Sequence, residues 1–475
     1  MTLYVLIVED DDDFVEELRE TLGDLSGDSS IRIADSRDQA YEILGDGFLD
    51  LVILDLKIPT VSGALDAAPE HGHAVFTRIR TVAPGTPIFV LTGSPAEDFI
   101  PQMLDNQQQI DIWGEGRKTG TIMFLRKLDI DQCSETLTPV AEAIEHLSDV
   151  ELDRGGMDLS VGEDRLIRIF AKKFQGVRCV VSGLGGGLSA ARVIRLRITD
   201  RQGVQVLDAV AKLSIPSVVR EEGGRYERYV ARLAPEATPR KLATLEFGAH
   251  NLAGVFFGLA GGFDESAYDV ALNAPDRAVA IIHNIERVTA PWIAGVPETR
   301  KTVSEMRRRL LSDEELGCIR KKYDVDWISD FETREIQAKW GCSHGDLHGL
   351  NVLVSPTSVA IIDYGDVEGG PASLDPVTLE LGLLFHPGSP ACVGEWPSEA
   401  QARRWGDLAA YLEDCPFPEF VQEARNWALR VGAGGREVAV SAYSYLIRQL
   451  KYENTNKDRA LVLLEGVRSF YDGGT

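Results

Sequence analysis

Continuous apolar runs that end in polar side chains recur through the first third of the chain. Tyr4–Val8 runs into Glu9-Asp10-Asp11-Asp12-Asp13, Leu51–Leu54 into Asp55, Ile88–Leu91 into Thr92, and Thr121–Leu125 towards Lys127; Ile31–Ala34 is a further short run. Apolar runs of this length predict strands buried on both faces. After the first run, Phe14, Leu18, Leu22 and Leu25 fall at helical spacing, and Asp38–Leu44 predicts a second helix. Strands alternating with helices predict a doubly wound parallel sheet, and such sheets bind ligands beyond the C-terminal ends of their strands. At those ends the chain collects an acid pair, a lone acid, a hydroxyl and a lysine.

The pattern changes after residue 148. Asp149–Glu163 is polar, carries Gly155-Gly156 and predicts a linker; Asp164–Phe174 then predicts an amphipathic helix that either relays the first domain's state or covers an edge. Val177–Ser182, a glycine-rich turn (Gly183, Gly185, Gly186, Gly187, Ser189) and Ala191–Ile198 read as strand, turn, strand. Glycines there let backbone amides approach phosphates closely. Val206–Leu213 is a further strand carrying Lys212, and Val218–Leu233 a helix offering an acid, Glu227 in first place with Glu222 or Glu221 as alternatives. Leu252–Phe263 predicts another strand. Asp269–Ile293 predicts a helix, residues 298–340 a helix-rich charged stretch, and residues 398–472 packed helices.

Between them, His344-Gly345-Asp346-Leu347-His348 is followed by Asn351, the apolar Val352–Val354, then Ala360–Ile362 and Asp363-Tyr364-Gly365-Asp366. An acid, an amide five residues on, a two-stranded hairpin and a second acid form the set that phosphoryl transfer from a magnesium nucleotide requires. One carboxylate orients the attacking hydroxyl, while the amide oxygen and the second carboxylate hold metal.

Charge and cysteine usage narrow the function classes. Net charge is −25, and residues 1–150 carry 29 acids against 10 bases. Such a surface repels phosphate backbones, so nucleic acid is excluded as a partner. No apolar run approaches the roughly 18 residues of a membrane span. Six scattered cysteines without a CxxC pair suit a reducing cytoplasm.

On these residues, segment 3–147 resembles a two-component response regulator receiver, a flavodoxin-like fold with a five-stranded parallel sheet. The resemblance implies Glu9 and Asp10, with Asp55, as Mg²⁺ ligands, Asp55 as phosphoacceptor, and Thr92 and Lys127 as the switch pair. It also implies a sensor histidine kinase or other phosphodonor as partner; a homodimer through the receiver stays open. Departures are Leu128 in place of the family's proline and the long stretches Ala64–His73 and Asn106–Gly120, where His71 and His73 suggest a solvated loop more than a metal site. A receiver that only docks is the alternative.

Segment 165–390 resembles the aminoglycoside phosphotransferase and choline kinase-like branch of the protein-kinase-like fold, a two-lobed α+β domain. That implies Asp346 as catalytic acid-base residue, Asn351 and Asp363 as Mg²⁺ ligands, and the glycine turn, Lys212 and Glu227 as binders of ATP or another NTP. Asp375 or Glu380 would tie the catalytic loop to the next helix, and the acceptor would be an unidentified hydroxyl compound. The expected domains are a receiver at 1–148, a linker at 149–163, a nucleotide lobe at 164–262 and a helical lobe at 263–475. A rival reading is a signalling adaptor that binds nucleotide without transferring phosphate.

Overall fold

The computed structural model describes residues 1–25, 28–92, 107–127, 130–184, 191–234, 238–259, 262–392 and 394–473. The chain divides into two compact units, Met1–Arg220 with Lys241–Gly258, and Glu221–Arg240 with Leu259–Thr475.

The first unit opens with the parallel sheet that the apolar runs predict. Strands β1 (Leu3–Val8), β2 (Ser29–Ala34), β3 (Leu51–Asp55) and β4 (Ile88–Thr92) are joined by β7 (Ile122–Arg126) in the order β2-β1-β3-β4-β7. A small hairpin, β5 (Gln109–Ile110) and β6 (Thr119–Gly120), precedes β7. Helices α1 (Asp12–Leu25), α2 (Arg37–Leu44), α3 (Pro69–Val82) and α4 (Ile130–Glu145) flank the sheet. The stretch containing His71 and His73 is the start of α3 rather than a loop. His71 Nδ1 bonds the carbonyl of Ile58 at 2.9 Å, and Gly72 lets α3 touch β3, where a Cβ would stand 2.3 Å from Leu56. Both are packing roles.

A second sheet follows, of order β12-β13-β11-β10-β9-β8: β8 (Glu151–Asp153), β9 (Arg178–Gly183), β10 (Arg192–Thr199), β11 (Gln205–Ser214), β12 (Arg240–Leu245) and β13 (Ala253–Gly258). The polar stretch 149–163 is therefore not a plain linker. It contains β8, which pairs in parallel with β9, and Ser160, which caps helix α5 (Val161–Lys173) through a reciprocal bond with Glu163. Three residues too polar to signal burial form that strand because its backbone groups find partners on β9.

Helix α5 is buried nearly all round and joins the two sheets. Leu166, Ile167, Ile169 and Phe170 belong to one apolar core with Leu3, Val5, Ile7, Phe89 and Leu137 of the receiver and with Val181, Leu196 and Phe256 of the second sheet. Phe170 stacks on Phe256 with centroids 4.0 Å apart. Inside this apolar surround, Arg165 makes two 2.9 Å bonds to Asp50, which also accepts the amide of Tyr4 at 3.0 Å. The backbone of the β3–β4 connection bonds the later segment as well, Gly85 N–H to His250 C=O at 2.7 Å and Gly248 N–H to Gly85 C=O at 2.9 Å. The residues after β5 pack there too, with Ile112 and Trp113 in the shared core and Glu115 paired to Lys172 at 2.7 Å.

The second unit is mostly helical. It contains α7 (Ala267–Asn273), α8 (Pro275–Ile293), α9 (Val303–Arg307), α10 (Asp313–Lys322), α11 (Ile328–Phe331), α12 (Leu374–Phe385), α13 (Glu399–Arg403), α14 (Leu408–Tyr411), α15 (Pro418–Val431), α16 (Gly435–Gln449) and α17 (Lys457–Gly473); α6 (Pro216–Tyr229) spans the division between units. The predicted 269–293 helix is broken at Ala274-Pro275, as a proline at a first turn requires. Residues 298–340 differ from the helix-rich expectation. Strands β15 (Glu298–Thr302) and β16 (Glu335–Ser343) bracket three short helices, and β16 also pairs with β19 (Glu368–Pro371). The Glu-Thr-Arg-Lys-Thr strand has no apolar face to reveal it. The hairpin β17 (Val352–Val354) and β18 (Val359–Ile361) is as the sequence predicts, with β14 (Glu265–Ser266) added on the β17 side. No helix among the described residues is long and apolar enough to cross a membrane.

Two outcomes follow for the shared core. Asp50→Ala strands Arg165 as an unpaired buried cation, and the first unit should lose about 3–5 kcal/mol in chemical denaturation. Burial, reinforced by Arg32, pushes the pKa of His250 down to about 4. The neutral ring is thus favoured in the folded state, so its stabilising share is complete above about pH 6.5 and is lost as pH falls from there towards 4. In His250→Gln, the acid slope of the unfolding midpoint across that window should flatten.

Candidate functional site

Two acidic centres are assembled, one in each unit. In the first, β1 and β3 lie side by side, Val8 opposite Leu54, which brings Glu9 and Asp10 next to Asp55. One ligand oxygen from each of the three acids lies within 4.8 Å of the others. Glu9 and Asp55 are buried and Asp10 is exposed. Lys127 follows β7 and spans the group, 2.8 Å from Glu9 and 2.7 Å from Asp55, with its ammonium over the Phe14 ring. Thr92 closes β4, in register with Arg126.

Electrostatics in this pocket are tense. Burial, followed by the charge of Asp55, pushes the carboxyl of Glu9 up to about 7, and burial also raises Asp55. Burial disfavours the ammonium of Lys127, but its bonds to both acids outweigh this and leave its pKa raised. Clustered hard oxygen donors fit a Mg²⁺ ion, which would relieve the repulsion now screened by a single lysine.

The second centre is built on the 344–363 segment. Asp375, at the start of α12, accepts the amides of His344 and Gly345 at 2.8 and 3.0 Å, and His344 Nε2 bonds the carbonyl of Ile362 at 3.1 Å. The loop is thereby fixed at both ends. Asn351 donates its side-chain amide to the carbonyl of Asp346 at 2.9 Å, which frees its Oδ1, and its own carbonyl accepts Ile362 N–H at 3.0 Å. Asn351 and Asp363 therefore flank one end of the β17–β18 hairpin. Asp363 has φ +63°, a left-handed conformation that few non-glycine residues adopt and that the surrounding pairing must hold. An amide oxygen and a carboxylate held this way are suitable donors for Mg²⁺.

Asp346 itself has an unexpected partner. Arg448 of α16 donates to its Oδ1 at 2.7 Å, while His348 Nε2 stands 3.7 Å from Oδ2. About a third of the Asp346 side chain is exposed. Burial works against the carboxylate, but Arg448 and the neighbouring imidazoles outweigh it and hold Asp346 well below the usual carboxylate range. It is an ionised group with one oxygen held and the other accessible.

The other sequence-derived positions fall out unevenly. Lys212 is buried on the central strand β11, opposite Val193 and Val255. On α6 the buried positions are Pro216, Val219, Glu222 and Gly223, whereas Glu227 is exposed. The helix register thus moves the buried acid from Glu227 to the alternative, Glu222. Gly183 ends β9; Gly185, Gly186, Gly187 and Ser189 lie outside the described residues, as do Leu128 and Asn106. Glu380 does not tie the catalytic loop. It is buried against Arg425, with bonds of 2.5 and 2.7 Å, and against Trp405, so Asp375 alone has that role.

Sequence reasoning missed Arg448 and His386. The available signal was a cation within the otherwise apolar run of α16, whose positions 437–449 are all buried.

Residues 5–109 match the family model of the response regulator receiver domain. With the sheet order above, this segment is a receiver domain. Comparison with curated proteins gives no match. Among solved structures, the chain is similar to a thermostable mutant of aminoglycoside phosphotransferase APH(4)-Ia in ternary complex with ADP and hygromycin B, at 14% identity and TM-score 0.38, covering 65% of this chain and 99% of that one. Amicoumacin kinase hAmiN in complex with AMP-PNP, Ca2+ and Ami is similar at 12% identity and TM-score 0.34, covering 62% and 88%. A CheY-like receiver domain protein from Methanospirillum hungatei JF-1 is similar at 15% identity and TM-score 0.22, covering 31% and 99%.

The bonds from Asp375 give a direct test of how the second centre is held. Asp375→Ala leaves two buried amides without an acceptor, which should destabilise the second unit by about 2–4 kcal/mol. Amide exchange at His344 and Gly345 should accelerate at least tenfold, and unchanged exchange would show that other contacts fix the loop.

Proposed function

We propose that this protein is a response regulator whose output is an ATP- and Mg²⁺-dependent phosphotransferase acting on a hydroxyl acceptor, under the control of phosphorylation at Asp55. The observation that carries this is the arrangement of Asp346, Asn351 and Asp363 on one rigidly held loop and hairpin.

In this reading, the free oxygen of ionised Asp346 orients the acceptor hydroxyl and takes its proton as the oxygen attacks the γ-phosphorus. Asn351 Oδ1 and the Asp363 carboxylate hold Mg²⁺, which when bound neutralises charge developing on the transferred group. The motif resemblance assigns Lys212 and the glycine-rich segment to the nucleotide phosphates, with Glu227 first and Glu222 or Glu221 as alternatives for the acid partner of the lysine. Lys212 and Glu222 are both buried.

At the first centre, Glu9 and Asp10 would hold Mg²⁺ while an Asp55 oxygen attacks the phosphorus of a phosphodonor, a sensor histidine kinase or a small acyl phosphate, and the bond from that phosphorus to the histidine nitrogen or the acyl oxygen breaks to release the donor. Asp55 then loses its own charge, and Lys127 turns from carboxylate to phosphoryl oxygens, with Thr92 as the switch hydroxyl. The free state of all six cysteines supports a cytoplasmic setting.

Two measurements test this. Asp346→Asn and Asp363→Asn should each lower Mg-ATP turnover by about 100-fold or more. Equal turnover in all three proteins would leave a nucleotide-binding adaptor. Acetyl phosphate with Mg²⁺ should give an acid-labile adduct that Asp55→Asn abolishes, and no adduct at any Mg²⁺ concentration would reduce the receiver to a docking surface.

A further inference from the structure

Several buried polar atoms around Asp346 bond nothing among the described residues. They include Arg448 Nε, His386 Nε2 and His348 Nδ1. The residues that carry them are all nine-tenths or more buried. His348 and His386 lie ring to ring with centroids 4.1 Å apart, and Arg448 joins them through its bond to Asp346.

Two of these atoms are donors. Arg448 Nε donates and never accepts. His386 Nδ1 accepts the amide of Gly388 at 3.1 Å, so the ring proton sits on Nε2, which is then a second donor without an acceptor. Buried donors left unbonded are unfavourable, and a ligand that supplies oxygens to them gains what the protein alone lacks. Charge is one-sided. Arg448 already neutralises Asp346, so an approaching cation meets a guanidinium where a polyamine site would present surplus carboxylate.

We propose, resting on the phosphotransferase reading above, that Arg448, His386 and His348 form the acceptor subsite beside Asp346, and that they select an oxygen-rich, non-cationic compound whose reacting hydroxyl is flanked by further hydroxyl or carboxylate oxygens. Sugars, polyols and hydroxy acids share that chemistry; polyamines do not. In the transfer, the acceptor oxygen bonds the γ-phosphorus and the bond from that phosphorus to the β–γ bridging oxygen breaks. The hydroxyl proton passes to Asp346 and then to water, leaving a phosphate monoester and a nucleoside diphosphate. Arg448 and His386 act as positioning residues, since they hold the neighbouring oxygens and not the one that reacts.

The test uses the full chain with Mg-ATP and measures nucleoside diphosphate release with glucose, myo-inositol, glycerate and kanamycin as separate probes. At least one of the first three should raise release tenfold or more over the background without acceptor, and kanamycin should not. Comparing the neutral polyols with glycerate separates a hydroxyl from a carboxylate as the flanking group. In His386→Phe and Arg448→Lys, the effect should fall on the acceptor, with KM for the active probe and its calorimetric Kd rising about tenfold. Melting curves identify a variant that fails to fold, in which case the other carries the measurement. Stimulation by kanamycin alone, no stimulation by any probe over a persisting background, or an unchanged acceptor Kd in a folded variant would each overturn the assignment while leaving the phosphotransferase reading in place. Loss of the background itself would remove both.

Discussion

A carboxylate taken out of water must be answered by a cation or by backbone N–H groups, and in a chain of net charge −25 that requirement decides what can fold. Asp50 is answered by Arg165, Asp208 by Arg195, Glu380 by Arg425, and Asp375 by two amides. The same rule operates at both acidic centres, where Lys127 answers Glu9 and Asp55 and Arg448 answers Asp346. Structural and functional acids thus differ in completeness. Asp375 and Glu380 are buried against their partners, whereas the Asp346 side chain is about a third exposed.

That difference bears on the chemistry proposed for the two centres. A pocket whose charge is only partly balanced holds a cation or an anionic group readily, because binding relieves a repulsion that folding left in place. Rigidity comes from elsewhere. The parallel register of β1 and β3 sets the first acid cluster, and the β17–β18 hairpin with the Asp375 bonds sets the second. In each case, the clustered side chains sit where a strand ends, and the strands themselves are ordinary buried apolar runs.

Legibility in the sequence followed from how each element is stabilised. The strands of the first sheet and the hairpin beside Asp346 are signalled by apolar side chains, so the pattern exposes them. Edge strands β8 and β15 are held by backbone pairing with polar residues, and composition cannot show that. Glu222 and Glu227 lie on one helix, and a single sequence does not fix which face turns inward; burial of Val219 and Gly223 alongside Glu222 does. Arg448 and His386 come from helices distant in the chain and join the Asp346 cluster only through tertiary packing, beyond the reach of any local motif. The apolar residues of α5 read as a helix of the following domain, yet their contacts run to both sheets.

That shared core bears on how the protein is made. When synthesis has reached the end of the first five parallel strands, the face bearing Leu3, Val5 and Phe89 is still waiting for Leu166, Phe170 and Phe256. At roughly 5–20 residues per second, a ribosome needs about 7–26 s more to deliver the segment through residue 258. Throughout that interval the nascent receiver carries a bare greasy surface, a natural target for a holding chaperone and a hazard for any shortened transcript that stops at the apparent module boundary.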